Sequence, residues 1–107
     1  MLGKNEFMDY RRTTVKAVTT TVTLAVYERT ILVTNGTYSI TLPAVAQCVG
    51  MLFTFVQLGA GTGKVRLIDA GDDPSWSDLM INAQYGKMVI LSDGICWHAL
   101  AGTAYVP

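Results

Sequence analysis

The chain has 107 residues, half of them hydrophobic and only 15% charged, with 8 basic and 8 acidic side chains and a formal net charge of +0. The length suits one domain. The charge balance argues against a nucleic-acid partner, which draws a basic excess or stripe, and no apolar run reaches the roughly 18 residues that would cross a bilayer. So much apolar surface is hard to hide inside so short a chain, and some of it is expected to be covered by other chains.

Residues 1–12 hold Lys4, Glu6, Asp9, Arg11 and Arg12 with Phe7, Met8 and Tyr10 between them. They show no strand pattern and no continuous apolar segment of a secretory signal. They read as an N-terminal arm, with residues 13–107 as a single β-domain. From Val18 a period of two sets in. Val18, Val22, Leu24 and Val26 fall on one face, and Thr19, Thr21 and Thr23 on the other, which predicts one half-buried strand. Asn35-Gly36 follows, the dipeptide of a two-residue hairpin turn. Such a turn pairs Val33 with Tyr38 and Ile31 with Ile40, and it places Ile31, Val33, Tyr38, Ile40 and Leu42 on the buried face. Pro43 ends that strand.

The segment 44–50 is too short for more than one helical turn. MLFTFVQ, residues 51–57, is apolar on both faces and predicts a central strand or one covered by a partner. VRLIDA, residues 65–70, reads as its hairpin mate across the glycine-rich 59–63. LMIN, residues 79–82, predicts a short strand. KMVIL and ICWHALA, joined by SDG, are the last two strands. About eight short strands with turns every ten residues or so predict an all-β domain, a small antiparallel sandwich or barrel-like fold.

Several stretches invite a chemical reading. In QLGAGTGKV, aligning Gly63-Lys64 on a phosphate-binding loop puts Leu58 where the first glycine belongs and Val65 where the metal-binding hydroxyl belongs. A strand follows instead of a helix, so a hairpin tip is expected. His98 is the only histidine. Cys96 stands two residues before it, about 7 Å away along a strand, too far for a thiol–imidazole pair. Asp69, Asp72, Asp73 and Asp78 lack the alternation and distal Glu of a calcium loop and read as a solvated acidic loop. Cys48 and Cys96 read as reduced, buried thiols. Trp97 reads as core, and Trp76, in a loop, as the better candidate for an exposed contact. Neither catalytic residues nor a cofactor or metal site is expected.

Residues 38–100 carry a resemblance. Thr41-Leu42-Pro43 ends one strand. Gly50 then leads into a strand with Phe53 and Phe55, and Ser92-Asp93-Gly94 is followed three residues on by Trp97. This resembles small β-domains of tailed-phage virion proteins, found in capsid decoration proteins, head fibres and tail fibres. Ile95 and Cys96 stand where that pattern has ordinary polar residues. The resemblance implies a non-enzymatic homotrimer on the virion surface, made in the host cytoplasm. Among its members, a short chain fits a capsid decoration (cement) protein bound to the major capsid protein. Phe7, Tyr10, Arg11 and Arg12 are the candidate capsid contacts, with Trp76 as a further partner-binding residue. The alternatives are a tail or head-fibre component, or a carbohydrate-binding module using exposed aromatics.

Overall fold

The computed structural model describes residues 15–34, 36–59, 64–81 and 84–103. Nine strands occur among them: β1 (Val15–Val18), β2 (Val22–Thr23), β3 (Thr30–Val33), β4 (Tyr38–Thr41), β5 (Leu52–Gln57), β6 (Val65–Ile68), β7 (Leu79–Ile81), β8 (Lys87–Ser92) and β9 (Trp97–Gly102). A single 3-10 turn at Val45–Gln47 is the sole helical element among the described residues. The strands form two sheets, β1-β3-β5-β8-β9 and β2-β4-β6-β7. The all-β expectation holds, and of the sandwich and barrel alternatives the chain takes two sheets.

The pairing departs from the antiparallel expectation. β1, β3 and β5 pair in parallel, and so do β2, β4 and β6. Only β7, β8 and β9 join antiparallel. The chain therefore crosses between the sheets five times from β1 to β6, forming the three stacked arches β1-β2, β3-β4 and β5-β6, before closing with antiparallel strands.

Two hairpins expected from the sequence are arches. Val33 pairs with Val18 and Gln57, while Tyr38 pairs with Val65 in the opposite sheet. Residue 35 lies outside the described residues, but the corner around it is fixed by Tyr38. The Tyr38 hydroxyl donates to the Val18 and Thr34 carbonyls, at 3.1 and 2.8 Å, and accepts from the Thr34 N–H at 3.2 Å. Gly36 fits there because a Cβ would stand 2.9 Å from the Tyr38 ring. β5 and β6 likewise lie in different sheets and do not pair as the expected hairpin, while residues 60–63, expected as its tip, lie outside the described residues. The stretch from Val18 to Val26 is not one strand either. It bends at Thr19–Thr21, so that β1 and β2 enter different sheets.

The core lies between the inner faces. Ile31, Val33, Ile40, Leu42, Phe53, Phe55, Val65, Leu67 and Ile90 are all fully buried. The expected facing of Ile31, Val33, Ile40 and Leu42 is therefore right although the pairing is not. In an arch the two strands set their apolar side chains against each other across the core, and in a hairpin side by side along one sheet. Both give the same alternation. Fully burying each large side chain contributes about 1.5–3 kcal/mol. Trp97, as expected, is core. Its ring meets Phe53 edge to face at 5.4 Å and 83°.

Candidate assembly surface

The two sheets differ on their outer faces, and register shows how. On the five-stranded sheet, Ala17, Leu32, Val56 and Lys87 lie in one outward row. Val15, Thr30, Thr54, Val89 and Ala101 form the next, and Leu52, Leu91 and His98 a third. These positions alternate with the buried Ile31, Phe53, Phe55, Met88 and Ile90. The outward rows are mostly aliphatic. Lys87 is the one formal charge among them apart from His98, and no carboxylate lies in them. On the four-stranded sheet the outward rows are Thr23, Thr41 and Ile68, then Ser39, Arg66 and Met80. That is the polar alternation expected of a sheet facing water, whereas β3, β5 and β8 are apolar on both faces, the pattern of strands covered on both sides.

The aliphatic face continues past the sheet end. Val49, Leu52 and Ile95 are exposed at 61%, 48% and 67%. The Val49 side chain lies against Gly94, where a Cβ would stand 3.0 Å from Val49 Cγ2, and Gly94 has φ +98°. That brings the segment before β5 onto the Ser92-Asp93-Gly94 turn. Ser92, fully buried, ties the same two segments together: its hydroxyl donates to the Val45 carbonyl at 2.6 Å and accepts from the Gly94 N–H at 3.0 Å. Ile95 projects, and Cys96, expected as a buried thiol, is only half-buried.

The turn is rigid for electrostatic reasons. Asp93 Oδ1 accepts from the N–H groups of Cys96 and Ile95 at 2.7 and 2.8 Å, and Oδ2 meets His98 Nε2 at 2.7 Å. The Cys96 N–H first, then His98 and the Ile95 N–H, lower the Asp93 carboxyl to a pKa of about 2. His98 therefore partners Asp93 on the surface, at the rim of the aliphatic face.

The acidic loop is exposed at Gly71, Asp72, Pro74, Ser75 and Ser77, as the sequence suggested, but not at Asp73. Asp73 is only 8% exposed. Its carboxylate accepts from Trp97 N at 2.7 Å, Ser75 N at 2.8 Å and the Ser75 hydroxyl at 3.0 Å. Burial pushes its pKa up, but these N–H bonds, with the Ser75 hydroxyl and the Cys96 thiol, hold it below the usual carboxylate range. Asp69 accepts from Asp73 N, Asp72 from Val45 N, and Asp78 from Arg66 Nη1. The loop is a set of bolts between segments. Among the described residues no cluster of three or more His, Cys, Asp or Glu could hold a metal ion. Cys48 and Cys96 are both free, with burial pushing the Cys48 thiol up.

Of the partner-binding residues expected from the sequence, Phe7, Tyr10, Arg11 and Arg12 lie outside the described residues. Trp76 is brought in against the core, half-buried, with its Nε1 enclosed. It presents no aromatic platform. Among the described residues the exposed aromatics are Tyr27 and Tyr85, at 60% and 64%. The outward side of β5 was anticipated, MLFTFVQ reading as a central strand or one covered by a partner, while the outward sides of β3 and β8 were not singled out, although KMVIL is apolar at both parities. No helix among the described residues is long and apolar enough to cross a membrane. Comparison with known families, curated proteins and solved structures found no match to this chain.

Proposed function

We propose that this protein is a non-enzymatic structural subunit of a tailed-phage virion, a capsid decoration protein that assembles as a homotrimer and binds the assembled shell. The observation that carries this reading is the aliphatic outer face of the five-stranded sheet. Outward Leu32, Val56, Val89 and Leu91, each half-buried, and exposed Leu52 leave apolar surface in water across three rows, at a cost of about 25 cal/mol per Å². The outward rows hold no carboxylate and one lysine, with Arg29 beside Thr30, Leu52 and Thr54 at their margin, so two copies of this face meet with few like charges. The resemblance of residues 38–100 supports the virion setting, and the segment with Phe7, Tyr10, Arg11 and Arg12 is the proposed contact with the major capsid protein. Binding that occurs only on the assembled shell stabilises that shell by mass action.

A fibre component is the second reading. Parallel stacking of β1-β3-β5 and β2-β4-β6 is a geometry that extends along one axis by adding further arches.

Light scattering after size exclusion is expected to give three times 11.6 kDa. Co-sedimentation with expanded capsids of a tailed phage is expected for the full chain and lost on deletion of residues 1–12, with the trimer intact. A stable monomer removes the assembly reading. A trimer that ignores capsids moves the protein to the fibre class.

A further inference from the structure

The polar outer face of the four-stranded sheet carries a groove of about 370 Å³, inside the size range of small-ligand sites. Register builds its walls. Ser39 stands beside Arg66, and Arg66 beside Met80. Lys64 lies two residues before Arg66, so the two cations project from the same side of the strand, about 7 Å apart. Thr21 and Thr37, from the corners before β2 and β4, add hydroxyls to the opposite wall. Thr21 Oγ1 accepts from Ser39 N at 3.3 Å, which anchors that wall to β4. Met80, only 6% exposed although its row points outward, supplies an apolar patch. Among the described residues no carboxylate lines the groove. Asp78, which accepts from Arg66 Nη1 at 3.1 Å, stands outside the lining and leaves the rest of the guanidinium fork for a ligand.

We propose that this groove binds an acidic sugar: a hydroxylated ring bearing one carboxylate, such as a hexuronate unit of a polysaccharide. Lys64 and the outer edge of Arg66 take the carboxylate, the planar fork being suited to bidentate contact. The hydroxyls of Thr21, Thr37 and Ser39 exchange hydrogen bonds with the ring hydroxyls. Met80 takes the apolar face of the ring. A neutral sugar leaves both cations unused, and an inorganic anion leaves the hydroxyl wall and Met80 unused. The groove lies on the sheet opposite the proposed assembly face, so this inference stands independently of the oligomeric state.

The test is a titration of the full chain with D-glucuronate, followed by backbone amide NMR, with D-glucose and sodium sulfate at matched ionic strength as controls. Saturable shifts are expected at Ser39, Arg66 and Met80 with glucuronate, and weaker ones with either control. Lys64→Ala, at an exposed position, is expected to keep the fold and weaken glucuronate binding about tenfold, the loss of one charge-assisted contact. Thr37→Val is expected to weaken glucuronate while leaving any sulfate response unchanged. No saturable response to glucuronate overturns the proposal. So does an equal response to sulfate, which marks a plain anion patch, or an equal response to glucose. Full affinity in Lys64→Ala overturns it as well.

Discussion

Asp73 shows how single side chains fasten this fold. Its carboxylate holds the Trp97 N–H, at the start of β9, and both polar groups of Ser75, 24 and 2 residues away in sequence. Truncation leaves the buried Trp97 N–H without its partner, while the Ser75 groups turn to water. Asp73→Ala is therefore expected to lower unfolding free energy by about 2–4 kcal/mol in urea titrations, with Asp73→Asn losing less. An unchanged midpoint in the alanine variant contradicts the bolt. Protonation makes the same change reversibly. The folded-state pKa values of Asp73 and Asp93 lie below their unfolded values, so their contribution is complete above about pH 4. It is lost as pH falls through the folded values, with Asp93 near 2. Melting temperature is expected to hold from pH 7 to about 4.5 and to fall between about 4 and 2, with a shallower acid limb in Asp73→Asn. The sequence displayed the four aspartates but not their partners. Asp73 meets Trp97 only after the chain has passed through β7 and β8, and no spacing rule connects them.

At the scale of elements, arches replace hairpins. The alternation from Ile31 to Leu42 assigned every buried side chain to the correct face, because inward facing is common to both geometries. It left the hydrogen-bonding partner undetermined. The Asn35-Gly36 dipeptide favoured the hairpin locally, but the parallel neighbours β1 and β5 offered β3 a backbone ladder on each side, and β2 and β6 did the same for β4. What holds the corner is Tyr38, whose hydroxyl replaces the missing cross-strand ladder between Val33 and Tyr38. Tyr38→Phe is expected to cost about 1–2 kcal/mol with little change in the urea dependence; no loss means the corner stands without that hydroxyl. Gly102 has a comparable role at the other end. At φ +135°, beside the register shift in β8–β9, a Cβ there runs into the Lys87 carbonyl and Met88 Cα. Gly102→Ala is expected to displace the end of β9, read as loss of amide protection at Thr103, whose N–H donates to the Lys87 carbonyl at 2.7 Å. The β8–β9 pair was legible because its turn residues and both strand patterns are contiguous.

For the whole molecule, the difference between two sheet faces matters most. The composition signalled an apolar excess, and the fold locates it on β3, β5 and β8. Val56, outward between Leu32 and Lys87, sits in the middle of that face. Val56→Lys is expected to leave the monomer fold within about 0.5 kcal/mol, as outward substitutions do. It is expected to shift the light-scattering mass from trimer to monomer. A trimer that survives the substitution places the subunit contact elsewhere. The arm residues Phe7, Tyr10, Arg11 and Arg12 were chosen for their aromatic and basic character, and the described fold begins after them. Trp76 was chosen as a loop residue, but the bolts around Asp73 draw its loop inward.

The same strand order governs how quickly the fold can form. Among pairings between strands adjacent in sequence, β8–β9 is joined by the shortest connection, the four residues Asp93 to Cys96. Each parallel pairing instead requires the chain to travel to the other sheet and back before one ladder bond can close. The loop entropy is spent before the contact is made, and such topologies fold slowly. A chain emerging N-terminus first thus carries β1 to β5, the aliphatic β3 and β5 among them, without the closing hairpin that covers β5 from the far side. The interval before β8 and β9 arrive is when this protein is most exposed to wrong partners.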